Sequence, residues 1–121
     1  MSSLLIVEDE VTIREMLFEL FSDEHTCFQT DTAEEALKIL ESEPIDLVLT
    51  DISMPGMSGL DLQRQLRASN SRIPIVFITS HADDDARARA LAAGAVAFLY
   101  KPCKKETLLE AIDSALNHKV P

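Results

Sequence analysis

Four short apolar segments of this sequence are each followed by side chains that can bind a metal ion or a phosphate group. The segments and the residues at their ends are Leu4 to Val7 with Glu8 and Asp9, Leu47 to Leu49 with Thr50 and Asp51, Ile73 to Ile78 with Thr79 and Ser80, and Ala95 to Tyr100 with Lys101 and Pro102. Nearly continuous apolar runs are typical of strands buried on both faces of a parallel sheet. Because parallel strands end at one edge of a sheet, we expect three carboxylates, a hydroxyl and an ammonium to converge there.

The three carboxylates, on Glu8, Asp9 and Asp51, determine the chemistry of this predicted site. Carboxylates about 5 Å apart repel by roughly 3 kcal/mol per pair at an effective dielectric constant near 20, so either one is protonated or a divalent cation binds. An all-oxygen set without histidine or cysteine suits Mg²⁺ far better than zinc. An aspartate beside such an ion, here Asp51, can attack a phosphoryl group and form an aspartyl phosphate, while Lys101 neutralises charge in the transition state.

Helical patterns alternate with these strands. A fifth, weaker strand is predicted at His25 to Thr30, where polar and apolar residues alternate as they do at a sheet edge. The predicted helices cover residues 11–22, 33–42, 59–68, 84–93 and 104–117. Strict alternation favours right-handed crossovers and helices on both faces of the sheet. We therefore predict an α/β fold with a doubly wound five-stranded parallel sheet of order 2-1-3-4-5 and five helices.

Local signals support several helix ends. Thr32 with Glu35 and Ser58 with Asp61 are capping-box arrangements at the starts of the second and third helices. Gly94 follows the fourth helix as a stop signal.

The composition indicates one globular domain. The 121 residues, 46% hydrophobic and 26% charged, suffice for one core, so we assign residues 1–121 to a single domain with its core at about 3–118. The net charge of -10 is a poor match for nucleic acid, whose binding depends on Lys and Arg. Apolar runs of about six residues fall short of the roughly 20 that a membrane helix needs, and no signal-peptide pattern is present, so we predict cytoplasmic residence.

The two cysteines, Cys27 and Cys103, are predicted to be free thiols. In the sheet order 2-1-3-4-5, Cys27 lies on one edge strand and Cys103 follows the other, four strand spacings or roughly 19 Å away. A disulfide requires Cα atoms within about 7 Å, so none is expected.

The strand-end residues make the sequence similar to a known family. Glu8-Asp9, the run from Asp51 to Leu60 (Asp-Ile-Ser-Met-Pro-Gly-Met-Ser-Gly-Leu), Thr79-Ser80 and Lys101-Pro102 closely resemble the receiver domain of bacterial two-component response regulators, over residues 3 to 118. The resemblance implies a flavodoxin-like fold and a phosphoacceptor switch, with self-phosphorylation and autodephosphorylation as its only chemistry, rather than an enzyme in the ordinary sense.

The resemblance also implies a role for each site residue. Asp51 is the phosphorylated residue, and Asp9, Asp51 and the backbone carbonyl of Ser53 hold Mg²⁺ while Glu8 acts mainly through water. The residues implied to bind the phosphoryl group or to switch with it are Thr79, Ser80, Tyr100 and Lys101, and the bond to Pro102 is expected to be cis. Ser53 and His81 occupy positions that influence the phosphoryl lifetime in this family, although His81 fits an ordinary surface histidine better.

The partners implied by the resemblance are of two kinds. A sensor histidine kinase, a histidine phosphotransfer protein or a small phosphodonor would supply the phosphoryl group. A downstream effector domain or protein would receive the signal from a surface near the fourth helix and fifth strand. A phosphorylation-dependent dimer through that surface and the fifth helix is left open.

The first helix carries a candidate docking patch. With about 100° per residue, one face is predicted to be a core stripe, made of Ile13, Met16, Leu17, Leu20 and Phe21. Val11 and Phe18 fall almost opposite, one heptad apart. We predict that these two residues are exposed and meet the kinase or phosphotransfer partner, although scattered exposed apolar residues are also normal.

Three alternatives remain at this point. An aspartyl-phosphate-forming phosphatase of the haloacid-dehalogenase type needs a second aspartate two positions after the nucleophile, where this chain has Ser53. Flavodoxin-like electron carriers cradle a phosphate after the first strand, where Glu8, Asp9 and Glu10 would repel it. An unphosphorylated interaction module with the same fold would lack catalytic groups, and none is missing here.

Overall fold

A computed structural model describes residues 2–80 and 83–117, and it consists of five strands and five helices in strict alternation. In chain order these elements are β1 (Ser3–Val7), α1 (Val11–Phe21), β2 (Thr26–Thr30), α2 (Ala33–Ser42), β3 (Leu47–Thr50), α3 (Gly59–Ala68), β4 (Ile75–Thr79), α4 (Asp84–Ala92), β5 (Ala97–Tyr100) and α5 (Lys105–Asn117). His81 and the end of the proposed core, residue 118, lie outside the described residues.

The strands form one sheet of order β2-β1-β3-β4-β5, and every neighbouring pair is parallel. The predicted fold is therefore confirmed. The chain winds outward in one direction from β1 to β2 and in the other from β3 to β5, so the winding reverses between β1 and β3. Val7 lies opposite Thr50 in that central pair. The residues that follow them are therefore neighbours at the crevice where such folds bind ligands.

The strands bury alternate residues in two apolar clusters. Leu5 and Val7 belong to the cluster that packs under α2, α3 and α4, whereas Leu4 and Ile6 belong to the cluster under α1 and α5. Both faces of β1 are therefore dry, which explains why its sequence is uniformly apolar instead of alternating. The same holds for β3 and β4, whose residues are all buried.

Three strands begin later than predicted, β2 by one residue, at Thr26, and β4 and β5 by two residues each. β4 begins at Ile75, not Ile73, because Pro74 has no N–H to donate and the Ile73 carbonyl accepts a hydrogen bond from the Arg67 side chain. β5 begins at Ala97, not Ala95, because the Ala95 N–H donates to the Ala90 carbonyl as part of the end of α4. The bounds predicted for α2 and α3 are confirmed.

The orientation predicted for α1 was wrong at two residues. Met16 is 52% exposed and not part of the core, whereas Phe18 is half-buried and packs against the cluster of Leu17 and Phe21. Phe18 follows Arg14 by one helical turn, so the two residues lie on the same side of α1. This side faces the rest of the protein, since the Arg14 guanidinium donates to the Glu8 carbonyl. The exposed apolar residues of α1 are Val11 and Met16.

Cys27 and Cys103 are free thiols, as predicted. Burial raises the pKa of both. Within the described residues, no helix is long and apolar enough to cross a membrane.

Helix α3 ends in a left-handed residue that is not glycine. Asn70 has a φ of 64°, which lets the Ser71 N–H donate to the Leu66 carbonyl at 2.9 Å and the Asn70 N–H to the Arg67 carbonyl at 3.0 Å. This hydrogen-bond pair is the Schellman arrangement, and asparagine is one of the few residues other than glycine that adopts the required conformation often.

We predict that Asn70→Ala lowers the free energy of unfolding by about 1 kcal/mol, because a left-handed backbone is costly for alanine. Asn70→Gly should match or exceed the native stability, since glycine adopts this conformation without strain. Urea unfolding of the two variants provides the comparison. Equal stabilities for the alanine and glycine variants would show that the left-handed turn is not the source of the cost.

Candidate functional site

Three carboxylates lie together at the carboxyl ends of β1 and β3. Glu8, Asp9 and Asp51 each offer an oxygen, and these oxygens lie within 4.8 Å of one another. Glu8 is 1% exposed and Asp51 5% exposed, whereas Asp9 faces solvent. Two of the three charges are thus out of contact with water, which makes their repulsion expensive unless a cation compensates it.

Lys101 supplies that compensation. Its Nζ donates to Glu8 Oε1 at 2.6 Å and to Asp51 Oδ2 at 2.8 Å, and its side chain is only 12% exposed. The residue reaches the acids from the end of β5, where its backbone N–H donates to the Thr79 carbonyl at 2.7 Å. The Lys101–Pro102 peptide bond is cis.

The pKa values of the pair follow from burial and charge. Burial raises the pKa of Glu8, and the hydrogen bond from Lys101 counteracts only part of that increase. Burial acts to lower the pKa of Lys101, but the hydrogen bonds to Asp51 and Glu8 outweigh it, so the pKa of Lys101 is raised overall. Lys101 is therefore a firmly protonated cation at neutral pH.

The second oxygen of Asp51 is held by the loop that follows it. Asp51 Oδ1 accepts from the backbone N–H groups of Ile52 at 2.6 Å and Ser53 at 3.3 Å. With Oδ2 on Lys101, both carboxylate oxygens have fixed partners, and the side chain has little freedom to rotate.

Helix α3 approaches this loop very closely. Ser58 and Asp61 form the predicted reciprocal capping box, which begins the helix at Gly59. A Cβ at Gly59 would lie 2.1 Å from the Asp51 carbonyl oxygen, so no other residue fits without moving the backbone. Glycine is a poor helix former, and its position directly after a capping serine was the sequence signal for this close approach.

The loop between β1 and α1 contains contacts that sequence reasoning missed. Glu10 caps α1 by accepting from the N–H groups of Thr12 and Ile13. The Glu10 N–H in turn donates to Glu8 Oε2 at 3.2 Å, and Arg14 Nη1 donates to the Glu8 carbonyl at 2.9 Å. These contacts leave the Asp9 carboxylate available to solvent and to a ligand.

The remaining predicted site residues surround the acids less directly. Thr79 is buried at the end of β4, and Ser80 beyond it is exposed. Tyr100 is 37% exposed and packs edge-on against Phe98 with ring centroids 5.5 Å apart, so its ring does not point inward in this structure. Val11 and Phe18 lie on α1 and take no part in the acidic cluster.

Comparisons with known proteins identify the family to which this chain belongs. The model of the response regulator receiver domain matches residues 4–113, so the chain belongs to that family. It is 38% identical over 113 residues to nodulation protein W of Bradyrhizobium diazoefficiens, covering 91% of this chain and 49% of that protein. It is 36% identical over 114 residues to the two-component response regulator PhoP of Pseudomonas aeruginosa, covering 93% of this chain and 51% of that protein.

Solved structures agree with the sequence comparison. A receiver domain protein from Clostridium thermocellum is 30% identical and superimposes with a TM-score of 0.90, covering 97% of this chain and 95% of that one. The chain is thus the receiver domain of a two-component response regulator, and it spans about half the length of the two curated relatives named above. Receiver domains partner with histidine kinases and with effector domains.

The donor set fits the Mg²⁺ that receiver domains bind at an acidic pocket. All side-chain donors are carboxylate oxygens, and the searched cluster contains neither histidine nor cysteine. Two buried acids share one ammonium, so the cluster has a net negative charge that a small divalent cation would neutralise.

We predict that Lys101→Met lowers the free energy of unfolding in metal-free buffer by roughly 3–5 kcal/mol, because it leaves Glu8 and Asp51 buried without a cation. The loss should shrink as the pH falls toward 5. Burial already raises the pKa of Glu8, so the folded variant takes up a proton there more readily than the unfolded chain and gains stability as it does so.

Urea unfolding at several pH values measures this loss. Lys38→Met is the matched control, since the one ion pair of Lys38 within the described part of the chain is an exposed pair with Glu35. Its removal should change stability by less than about 0.5 kcal/mol. Equal losses for the two variants would mean that the Lys101 contacts do not neutralise buried charge.

Proposed function

We propose that this domain is a phosphoacceptor switch in which Asp51 accepts a phosphoryl group. The observation that supports this most directly is the Asp51 carboxylate itself, which is 5% exposed, bonded to Lys101 and grouped with two other acids at the reversal point of the sheet. Burial, a cluster of charged groups and a fixed orientation are typical of the sites where carboxylates act as nucleophiles.

In the proposed reaction, one Asp51 oxygen forms a bond to phosphorus as the bond from phosphorus to the donor breaks. The leaving group keeps the electron pair and takes up a proton from solvent or from its own protein. The N–H groups of Ile52 and Ser53 hold the Asp51 carboxylate in place, and Lys101 stays close to stabilise charge on the transferred oxygens.

Glu8, Asp9, Asp51 and the backbone carbonyl of Ser53 would hold the Mg²⁺. The ion, when bound, would neutralise charge on the acids and on the phosphoryl oxygens. Glu8 is the most deeply buried of the three acids and is bonded to Lys101, so its share in binding the ion would pass mainly through water.

The phosphoryl group would then be detected by neighbouring strand ends. Thr79 and Ser80 follow β4 and would offer hydroxyl groups to it, while Tyr100 would turn inward from its present half-exposed position. These changes would alter the surface of α4 and β5, which an effector domain or a second copy of the domain would recognise.

The proposed domain covers residues 1–121 with its core at about 3–118. A sensor histidine kinase, a phosphotransfer protein or a small phosphodonor would act upstream, and an effector domain or protein would act downstream. With a net charge of -10 the domain is not proposed to bind nucleic acid itself. Its only chemistry would be its own phosphorylation and dephosphorylation.

We predict that incubation with acetyl phosphate and Mg²⁺ adds one phosphoryl group to the native chain and none to Asp51→Asn. The amide cannot act as the carboxylate nucleophile, so the loss should be complete. Intact-mass spectrometry detects the adduct, and omitting Mg²⁺ should reduce it at least tenfold.

Asp113→Asn is the control, because Asp113 is an exposed aspartate on α5 with the same charge change. A native chain that binds Mg²⁺ but forms no adduct would refute the switch and favour an unphosphorylated interaction module. Continuous release of phosphate from external phosphomonoesters would instead favour a phosphatase.

The kinase-docking surface on α1 is proposed in revised form. Val11 and Met16 are each 52% exposed, whereas Phe18, first assigned to the patch with Val11, contributes to the core. Val11 and Met16 lie roughly 140° apart around the helix axis, at the two edges of the exposed face of α1. We therefore propose that they contact the phosphodonor protein from the two sides of that face and that Phe18 acts mainly by fixing the helix.

The double change Val11→Ser with Met16→Ser should slow phosphotransfer from a phosphorylated histidine kinase about tenfold or more, since it removes apolar contact area. The rate with acetyl phosphate should stay unchanged. Leu91→Ser, at a similarly exposed site on α4, is the control. If the kinase reaction keeps its rate, or if both donors slow equally, the patch is not a docking site.

A further inference from the structure

Two side chains of α3 bind the C-terminal end of α4. Gln63 is 1% exposed, and its Nε2 donates to the Ala90 carbonyl at 2.9 Å. Arg67 donates from Nε to the Ala93 carbonyl at 3.0 Å and from Nη2 to the Gly94 carbonyl at 3.5 Å. Three carbonyls at and just beyond the C-terminal end of α4, where the intrahelical hydrogen bonds run out, thus receive donors from a neighbouring helix.

The same arginine fixes the segment that leads into β4. Arg67 Nη1 donates to the carbonyls of Ser71 and Ile73, both at 3.1 Å. One guanidinium therefore ties the end of α4 to the start of the strand that carries Thr79 at its other end.

The C-terminal end of α4 is also locked by its own backbone. Gly94, with a φ of 93°, lets the Ala95 N–H donate to the Ala90 carbonyl and the Gly94 N–H to the Leu91 carbonyl, both at 3.0 Å. The Ala90 carbonyl therefore accepts two hydrogen bonds, one from this Schellman turn and one from Gln63.

The rest of α4 is held weakly. Its buried residues are two alanines, Ala86 and Ala90, which offer little apolar surface to the core. The hydrogen bonds described for its first turn come from its own cap, Asp83, whose side chain accepts from the N–H groups of Asp85 and Ala86. The side-chain hydrogen bonds described from α3 are therefore concentrated at the C-terminal end of α4, a helix that buries little apolar surface.

We propose that Gln63 and Arg67 are positioning residues that make the C-terminal end of α4 a fixed pivot. This inference rests on the proposed function and specifies which end of α4 moves when Asp51 is phosphorylated. A phosphoryl group on Asp51 would rearrange the end of β4 and the first turns of α4, while residues 90–94 keep their contacts. The free end of the helix moves and the anchored end does not.

Hydrogen exchange of the full chain, with and without acetyl phosphate and Mg²⁺, tests the pivot. In the native chain, phosphorylation should change exchange at residues 84–88 several-fold more than at residues 90–94. In Arg67→Ala without phosphodonor, exchange at residues 90–94 should rise about tenfold or more, and phosphorylation should then change both ends. Gln63→Met should also raise exchange at residues 90–94, but by less. It replaces Arg67→Ala in this test if that variant does not fold.

Arg64→Ala is the matched control. Arg64 lies one turn before Arg67 on the same helix, and among the described residues its side chain pairs with Asp61 alone, on the exposed face of α3. Hydrogen exchange in Arg64→Ala should match that of the native chain, with and without phosphorylation. Exchange in β1 and β3 should stay native in all three variants, which separates local release of α4 from general destabilisation.

Equal changes at both ends of α4 in the phosphorylated native chain would overturn the pivot. So would unchanged exchange at residues 90–94 in Arg67→Ala. Absence of a phosphoryl adduct would instead refute the proposed function, and the comparison of Arg67→Ala with Arg64→Ala would still decide whether the anchor exists.

Discussion

The bridge from Lys101 to Glu8 and Asp51 is the interaction on which the site depends. Two buried carboxylates next to a third can stay charged at the end of a sheet only if a cation lies among them. The Lys101 ammonium is 2.6 Å from Glu8 and 2.8 Å from Asp51. Because Lys101 follows β5 while the acids follow β1 and β3, this contact spans most of the sheet. The charge balance therefore requires the complete fold.

The backbone around the acids is as restricted as their charge. Ile52 and Ser53 donate to one oxygen of Asp51, Gly59 lies against its carbonyl, and the capping box at Ser58 starts α3 at once. On the other side, Arg14 and Glu10 hold the Glu8 segment. Such a site is preorganised: its groups already occupy fixed positions before any ligand arrives, which lowers the cost of ordering them later.

The sequence predicted the topology and the types of residue at the site, because strict alternation and apolar strands depend on short-range patterns. It did not predict the contact between Lys101 and Glu8. These residues are 93 positions apart in the chain, and their contact depends on how β1 and β5 are aligned in the sheet. The helical period likewise predicted that one side of α1 is buried, but it assigned the residues at the border of that side wrongly. Whether Met16 or Phe18 is buried depends on the elements packed on either side of the helix, which no local pattern encodes.

The small apolar surface that α4 buries affects how the domain deforms. Helices α1 and α5 bury leucine, isoleucine and phenylalanine against the sheet, including Leu17, Phe21, Leu108 and Ile112, whereas α4 buries only two alanines among its described residues. Large interlocking side chains resist displacement, and single methyl groups slide with little loss of contact. Helix α2, on the same side as α4, also buries only two alanines completely, but it packs Leu37, Ile39 and Leu40 against the core as well. The domain is therefore stiffest under α1 and α5 and most compliant at α4, where an applied strain would concentrate.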